Sequence, residues 1–158
     1  MGASGWDYVT TYEGDVQASL DALHARVFVE EFGETGDYAD LAELWADTEF
    51  MGTGGTHTIL DVPVAATGSG GPVEGELRPL SAERLLLHFG TERPAVARYE
   101  ELMAEAGRVM SDEEYERSLL GAEFPHWGGL YVLLYGGTGS EGGDGEPTHV
   151  AFFGSSGD

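Results

Sequence analysis

The 158-residue sequence contains no cysteine, no lysine and no asparagine, and Ile59 is its only isoleucine. The absence of cysteine excludes disulfides, thiolate zinc sites and cysteine nucleophiles. The absence of lysine excludes a P-loop lysine, Schiff-base chemistry and acid–base catalysis by lysine. These two absences remove whole classes of enzyme mechanism before any motif is considered.

Long apolar runs and targeting signals are also missing. No segment approaches the roughly 20 apolar residues that a membrane-spanning helix requires. The first residues, 1–7, include neither the basic nor the apolar stretch of a secretory signal. The sequence therefore predicts a cytoplasmic protein that does not engage a membrane.

Positive charge is scarce. Seven arginines face 29 acidic residues, which gives a formal net charge of −22 at pH 7. Such a surface repels nucleic acid and attracts basic proteins over roughly 8 Å, the Debye length at physiological salt. The arginines form no patch, so we expect no nucleic-acid binding. The charge predicts a basic protein partner; the alternative is that the acidity only solvates the chain in a salt-rich cytoplasm.

Two segments concentrate the acidic residues and are the candidate surfaces for that partner. The earlier and denser segment comprises Glu30, Glu31, Glu34, Asp37 and Asp40, and the later one comprises Glu113, Glu114 and Glu116. The alternative interpretation is that both segments are solvated helix faces.

The pattern of apolar residues predicts one α+β domain over residues 1–158, with a small, mostly antiparallel sheet packed against four to five helices. We expect strands at 6–12 and 56–62, a short strand at 73–78, and a C-terminal hairpin of 130–135 and 148–153. Residues 130–135 are apolar on both faces, as in a buried inner strand. The glycine-rich residues 136–147 are expected to form a flexible loop within that hairpin.

Helix starts are indicated by capping residues. Asp15, Asp40 and Ser81 precede apolar periodic segments, and Pro94 suits the first turn of the next helix. Ser111 and Glu114 have the spacing of a capping box, accompanied by a hydrophobic staple of Met110 with Tyr115. Glycines then end the helices, as at 33, 90 and 107.

A ligand pocket is the second functional candidate. An N-terminal strand lying beside the last strand would bring Trp6, Tyr8 and Tyr12 near His149. In a strand over 56–62, His57 and Asp61 share one face but lie about 13 Å apart, so they cannot form a couple. The candidate pocket residues are Trp6, Asp7, Tyr8, His57, Asp61 and His149. The alternatives are that the aromatic residues belong to the core and that His57 is structural.

No motif assigns a reaction. The five histidines show no ligand spacing for a metal, and there is no G-x-S-x-G elbow for a nucleophilic serine. The glycine-rich loop is neither a calcium loop nor a phosphate cradle, because it has the wrong oxygen spacing and no basic residue. We therefore predict no catalytic residues, no metal and no cofactor.

Three segments in this order resemble a known group of proteins: GWDY at 5–8, GTHTILD at 55–61 and FFGSSGD at 152–158. The chain is similar over nearly its whole length to small acidic proteins of Streptomyces and related actinobacteria. A high-GC genome also fits a chain without lysine and asparagine. That group has no assigned activity, so the resemblance implies neither a reaction nor catalytic residues.

Three functional hypotheses follow from the sequence. The first is an acidic binding protein that inhibits or regulates a basic partner, in the manner of an immunity protein or an antagonist. The second is a small-molecule-binding protein or enzyme that uses the aromatic and histidine pocket. The third is a homodimer that covers an apolar edge of the C-terminal strands.

Overall fold

The computed structural model describes residues 4–53, 55–66, 73–108, 111–121, 127–136 and 146–156. The strands are β1 Ser4–Thr11, β2 Val64–Ala65, β3 Glu76–Pro79, β4 Gly128–Leu134 and β5 His149–Ser156. The α-helices are α1 Val16–Phe32, α2 Leu41–Ala46, α3 Thr48–Thr53, α4 Ala82–Phe89, α5 Val96–Ala106 and α6 Asp112–Arg117. Short 3₁₀ helices cover Ile59–Asp61 and Leu119–Gly121. Most of the predicted flexible loop, residues 137–145, lies outside the described residues.

The strands form one five-stranded sheet in the order β1-β5-β4-β3-β2. β5 pairs antiparallel with β1 over eight residues and with β4 over seven. The parallel pairs are shorter, with three residues between β3 and β4 and two between β2 and β3. The predicted α+β domain with a mostly antiparallel sheet is therefore confirmed, including the C-terminal hairpin and the pairing of the first and last strands.

Helices cover both faces of this sheet. On one face, Trp6, Tyr131 and Phe152 pack in a cluster with buried residues of α1 and the first 3₁₀ helix. On the opposite face, Leu130 and Phe153 pack in a second cluster with residues of α4 and α5. The apolar character of residues 130–135 on both faces follows from this arrangement, because β4 is buried between two helical layers.

The predicted strand at 56–62 is wrong. His57 has a φ of 57°, which no strand residue adopts, and residues 59–61 form a 3₁₀ helix. Thr58 caps that helix, since its side chain accepts a hydrogen bond from the Leu60 N–H. Side chains of Thr and Asp that bond the local backbone compete with a strand ladder, and here they prevail over the β-branched composition.

Most of the predicted helix starts are confirmed. The side chains of Asp15, Asp40, Ser81 and Ser111 each accept a hydrogen bond from a backbone N–H in the first turn of the helix that follows. Pro94 lies just before its helix instead of inside it, because Ala95 is the N-cap and provides no side-chain bond. Met110, one half of a predicted staple, lies outside the described residues.

Candidate functional site

The predicted pocket residues of β1 lie on two different faces of the sheet. Trp6 and Tyr8 belong to the cluster under α1, whereas Asp7 between them faces the layer of α5. The Trp6 indole N–H donates to the Ser156 hydroxyl at 3.0 Å, inside the structure. Trp6 is therefore a core residue, and only Asp7 of this segment can contribute to a surface site on the α5 side.

His149 lies far from Trp6. In the β1–β5 ladder Trp6 is opposite Gly154, and His149 is opposite Thr11, about 16 Å further along the strands. The imidazole Nδ1 of His149 lies 2.9 Å from the Thr148 hydroxyl. The structure thus places β1 beside β5, as predicted, but does not gather Trp6 and His149 around one pocket.

Asp61 organises the loop that was predicted to be a strand. Its carboxylate is 7% exposed and accepts hydrogen bonds from the Thr56 N–H at 2.7 Å, the Thr56 hydroxyl at 2.9 Å and the His57 N–H at 2.8 Å. The expected separation of about 13 Å between His57 and Asp61 is therefore wrong. The contact involves the backbone N–H of His57 and not its ring. The His57 side chain is exposed.

Gly55 shows how tightly this loop is packed. Its φ is +65°, and a Cβ at this position would lie 2.7 Å from the Trp127 ring and 2.9 Å from the Asp61 carboxylate. Only glycine accommodates both the backbone conformation and the lack of space. The 55–61 segment is therefore a tightly packed loop held together by the hydrogen bonds to Asp61.

A cleft of about 460 Å³ opens where β1 passes beneath α5. This volume falls within the range of small ligand sites, about 300–1,000 Å³. Polar atoms make up most of its accessible lining, which includes two carboxylates and no arginine: Asp7 and Val9 from β1, and Tyr99, Glu100, Met103 and Ala104 from α5. We refer to it as the β1–α5 cleft.

The electrostatics of the β1–α5 cleft favour a positive ligand. Asp7 is exposed as a residue, and partial burial of its carboxylate raises the pKa of the group. Burial raises the pKa of Tyr99 far above its ordinary value, and the negative charge of Asp7 raises it further. Tyr99 is 1% exposed, and its hydroxyl has no hydrogen-bond partner among the described residues. A cation bound beside Asp7 would offset the partial desolvation of its carboxylate.

Acidic residues also flank the other face of β1. Burial raises the pKa of Tyr8, and the nearby charges of Glu31 and Glu30 raise it further. Both glutamates are exposed near the end of α1. The edge of the sheet at β1 thus has carboxylates on both sides, Glu30 and Glu31 on one and Asp7 and Glu100 on the other.

The remaining acidic candidates are dispersed. Glu34 and Asp37 are exposed in the loop after α1, and Asp40 caps α2 through the Glu43 N–H. On α6, Glu113 pairs with Arg117 and Glu116 is exposed.

Glu114 lines a second, smaller cleft of about 260 Å³, which also contains His88 and Arg117. Burial lowers the pKa of His88, and the neighbouring Arg84 lowers it further. The Nε2 of His88 is buried without a hydrogen-bond partner among the described residues. His88, which the sequence did not single out, therefore lines a cleft of the described structure.

The sequence signals for the β1–α5 cleft were incomplete. Tyr99 and Met103 stand on the predicted apolar face of α5, so their burial against the sheet was foreseeable. Glu100 has no distinguishing local pattern, and its place in the same cleft as Asp7 depends on the docking of α5 over β1.

No family model, curated protein or solved structure matches the chain. The resemblance to the acidic actinobacterial proteins therefore stays a prediction. Within the ranges that the structure describes, no group of three or more histidine and acidic side chains is arranged to hold a metal ion. No helix in those ranges is both long and apolar enough to cross a membrane.

Proposed function

We propose that this protein is an acidic binding protein that captures a cationic surface of a basic partner and thereby inhibits or regulates it. The observation that carries the proposal is the β1–α5 cleft, whose lining includes Asp7 and Glu100 together with the apolar Val9 and Met103 and contains no arginine. Long-range attraction by the net charge of −22 would bring the partner to this surface.

The arginines of the chain leave this acidic surplus largely uncompensated. Among the described residues, ion pairs link Arg78 to Glu76, Arg98 to Glu101 and Arg117 to Glu113. Arg84 donates to the Ser118 carbonyl, and Arg93 lies over the Tyr135 ring. None of these contacts involves Asp7 or Glu100.

The shape of the β1–α5 cleft suits an arginine or lysine side chain of a partner. Val9 and Met103 offer apolar contact for the methylene stem, while Asp7 and Glu100 accept from the charged end. A guanidinium has the further advantage of several N–H donors arranged in a plane, which can serve two carboxylates at once.

Binding of a synthetic peptide of alternating arginine and threonine tests the proposal. Fluorescence anisotropy at low salt should detect binding, and affinity should fall steeply as salt is added. The double variant Asp7→Asn/Glu100→Gln should weaken binding about tenfold, because it removes both contacting charges.

The matched control is Glu34→Gln/Asp37→Asn, which removes the same charge from the denser predicted acidic segment. We expect it to weaken binding only about twofold, because it lowers the negative net charge of the protein without removing a contact to the peptide. If this control loses more affinity than Asp7→Asn/Glu100→Gln, the peptide binds at the segment of Glu34 and Asp37 and not in the β1–α5 cleft. Failure of the unaltered protein to bind the peptide at low salt would refute the proposed function.

A further inference from the structure

β1 is the longer of the two edge strands of the described sheet. β1 ends the strand order and extends over eight residues, whereas β2 at the other end has two. Among the described residues, no strand pairs with the outer side of β1. An edge of this length is a template for an added strand unless another segment covers it.

The direction of the backbone groups on that edge follows from the ladder. The Tyr12 N–H donates to the Thr148 carbonyl at 3.0 Å, so even-numbered residues of β1 point their backbone groups toward β5. Because these groups alternate along a strand, the odd-numbered residues present theirs to the open side. These residues are Gly5, Asp7, Val9 and Thr11.

Carboxylates flank this edge on both faces. Asp7 and Glu100 lie on the α5 side, and Glu30 and Glu31 lie near Tyr8 on the α1 side. A strand added to β1 would direct successive side chains alternately to these two faces. Basic side chains in such a strand would meet acidic groups on either side of the sheet.

We propose that the basic partner binds through an extended, arginine- or lysine-rich segment that adds to the sheet as a sixth strand beside β1. This inference rests on the proposed function and specifies the form of the partner. Backbone hydrogen bonds to the odd-numbered residues supply the alignment, and the flanking carboxylates select for positive charge.

A second copy of this chain is a poor occupant of the same edge. β1 contains one aspartate and no basic residue, and each copy has a net charge of −22. Pairing β1 with β1 would bring like charges together without any compensating cation. Charge complementarity therefore selects a basic segment from another protein.

Two peptides with identical side chains separate strand addition from simple charge attraction. Both repeat two arginines followed by two threonines over the length of β1, which places arginines on both faces of the added strand. One of the two has an N-methyl group on every amide, so that neither of its edges can donate hydrogen bonds. The methylated peptide should bind about tenfold more weakly or worse, because it cannot donate to the carbonyls of β1. Equal binding of the two peptides would overturn strand addition while leaving the proposed function intact.

Amide hydrogen exchange then locates the bound segment. The amides of Gly5, Asp7, Val9 and Thr11 should exchange fast in the free protein and become protected by the unmethylated peptide. Protection confined to other residues would refute strand addition, and absence of binding by either peptide would refute the proposed function itself. Sedimentation should show a monomer without peptide; a dimer that the peptide does not dissociate would show that another copy occupies the edge.

A variant of the protein provides an independent check. Val9→Pro removes an outward-facing N–H, a replacement that edge strands tolerate, and it should weaken binding of the unmethylated peptide about fivefold or more. Val9→Ala removes much of the same side chain but keeps the N–H, so it should bind more tightly than Val9→Pro. Equal affinities of the two variants would contradict the inference. If circular dichroism shows that Val9→Pro does not fold, the methylated peptide remains the deciding comparison.

Discussion

Replacing Asp61 with asparagine should destabilise the protein far more than loss of one charge would suggest. The side chain keeps its shape, but one carboxylate oxygen becomes an NH₂ group. Three donors currently converge on this carboxylate: the Thr56 N–H and hydroxyl on one oxygen and the His57 N–H on the other. If the amide oxygen serves Thr56, the amide nitrogen must face the His57 N–H, and two donors then oppose each other.

The expected cost can be estimated bond by bond. The lost bond to the His57 N–H, which also leaves a partly buried donor unpaired, costs about 2 kcal/mol. The two bonds to Thr56 change from charge-assisted to neutral and lose about 0.5 kcal/mol each. We therefore expect Asp61→Asn to lower the free energy of unfolding by about 3 kcal/mol.

Urea unfolding followed by circular dichroism measures this difference, with Asp40→Asn as the matched control. Asp40 caps α2 through the Glu43 N–H, and asparagine is an equally good N-cap, so the control should change stability by less than about 0.5 kcal/mol. Both variants remove one negative charge from a chain with a net charge of −22, so repulsion among the carboxylates decreases equally in the two proteins. A loss for Asp61→Asn no larger than for Asp40→Asn would refute the structural role given to Asp61.

Two further predictions concern histidines. Burial holds the pKa of His24 below its ordinary 6.5, and the hydrogen bonds that Nε2–H donates to the carbonyls of Ile59 and Val62 raise it only in part. Nδ1 is buried without a hydrogen-bond partner among the described residues. The unfolded chain takes up a proton at His24 as the pH falls through 6.5, so stability should fall by up to about 1.4 kcal/mol per pH unit below that value. Urea unfolding at several pH values should show a smaller fall for His24→Leu, and equal falls would contradict the prediction. For His57, whose φ is 57°, thermal unfolding should find His57→Gly at least as stable as the parent and His57→Val about 1–2 kcal/mol less stable, and the reverse order would show that the side chain is needed.

Local chemistry explains why most helix starts were predictable from the sequence. An N-cap needs only a side-chain oxygen and an N–H two or three residues later, as at Asp15 and Ser81, so no distant part of the chain is involved. The exception is α3, which the glycines from residue 52 onward concealed. Its first turn is held by the Asp47 carboxylate, which accepts from the Phe50 N–H.

The 55–61 segment shows where pattern and structure diverge. Its threonines and Ile59 favour a strand by composition, but the side chains of Thr58 and Asp61 bond the local backbone and turn the chain instead. For the site, strand alternation alone separates Asp7 from Trp6 and Tyr8. The position of Glu100 across from Asp7 has no local cause, since it depends on where α5 docks.

The place of β5 in the sheet has a consequence for how the protein is made. β5 lies between β1 and β4, yet among the described elements it is the last to leave the ribosome. While β5 remains in the exit tunnel, the emerged β1 and β4 lack their shared neighbour and expose unpaired backbone edges and the apolar side chains of β4 to the cell. The sheet therefore cannot be completed until β5 has emerged, and a nascent chain stalled before residue 149 would be a substrate for chaperones or proteases.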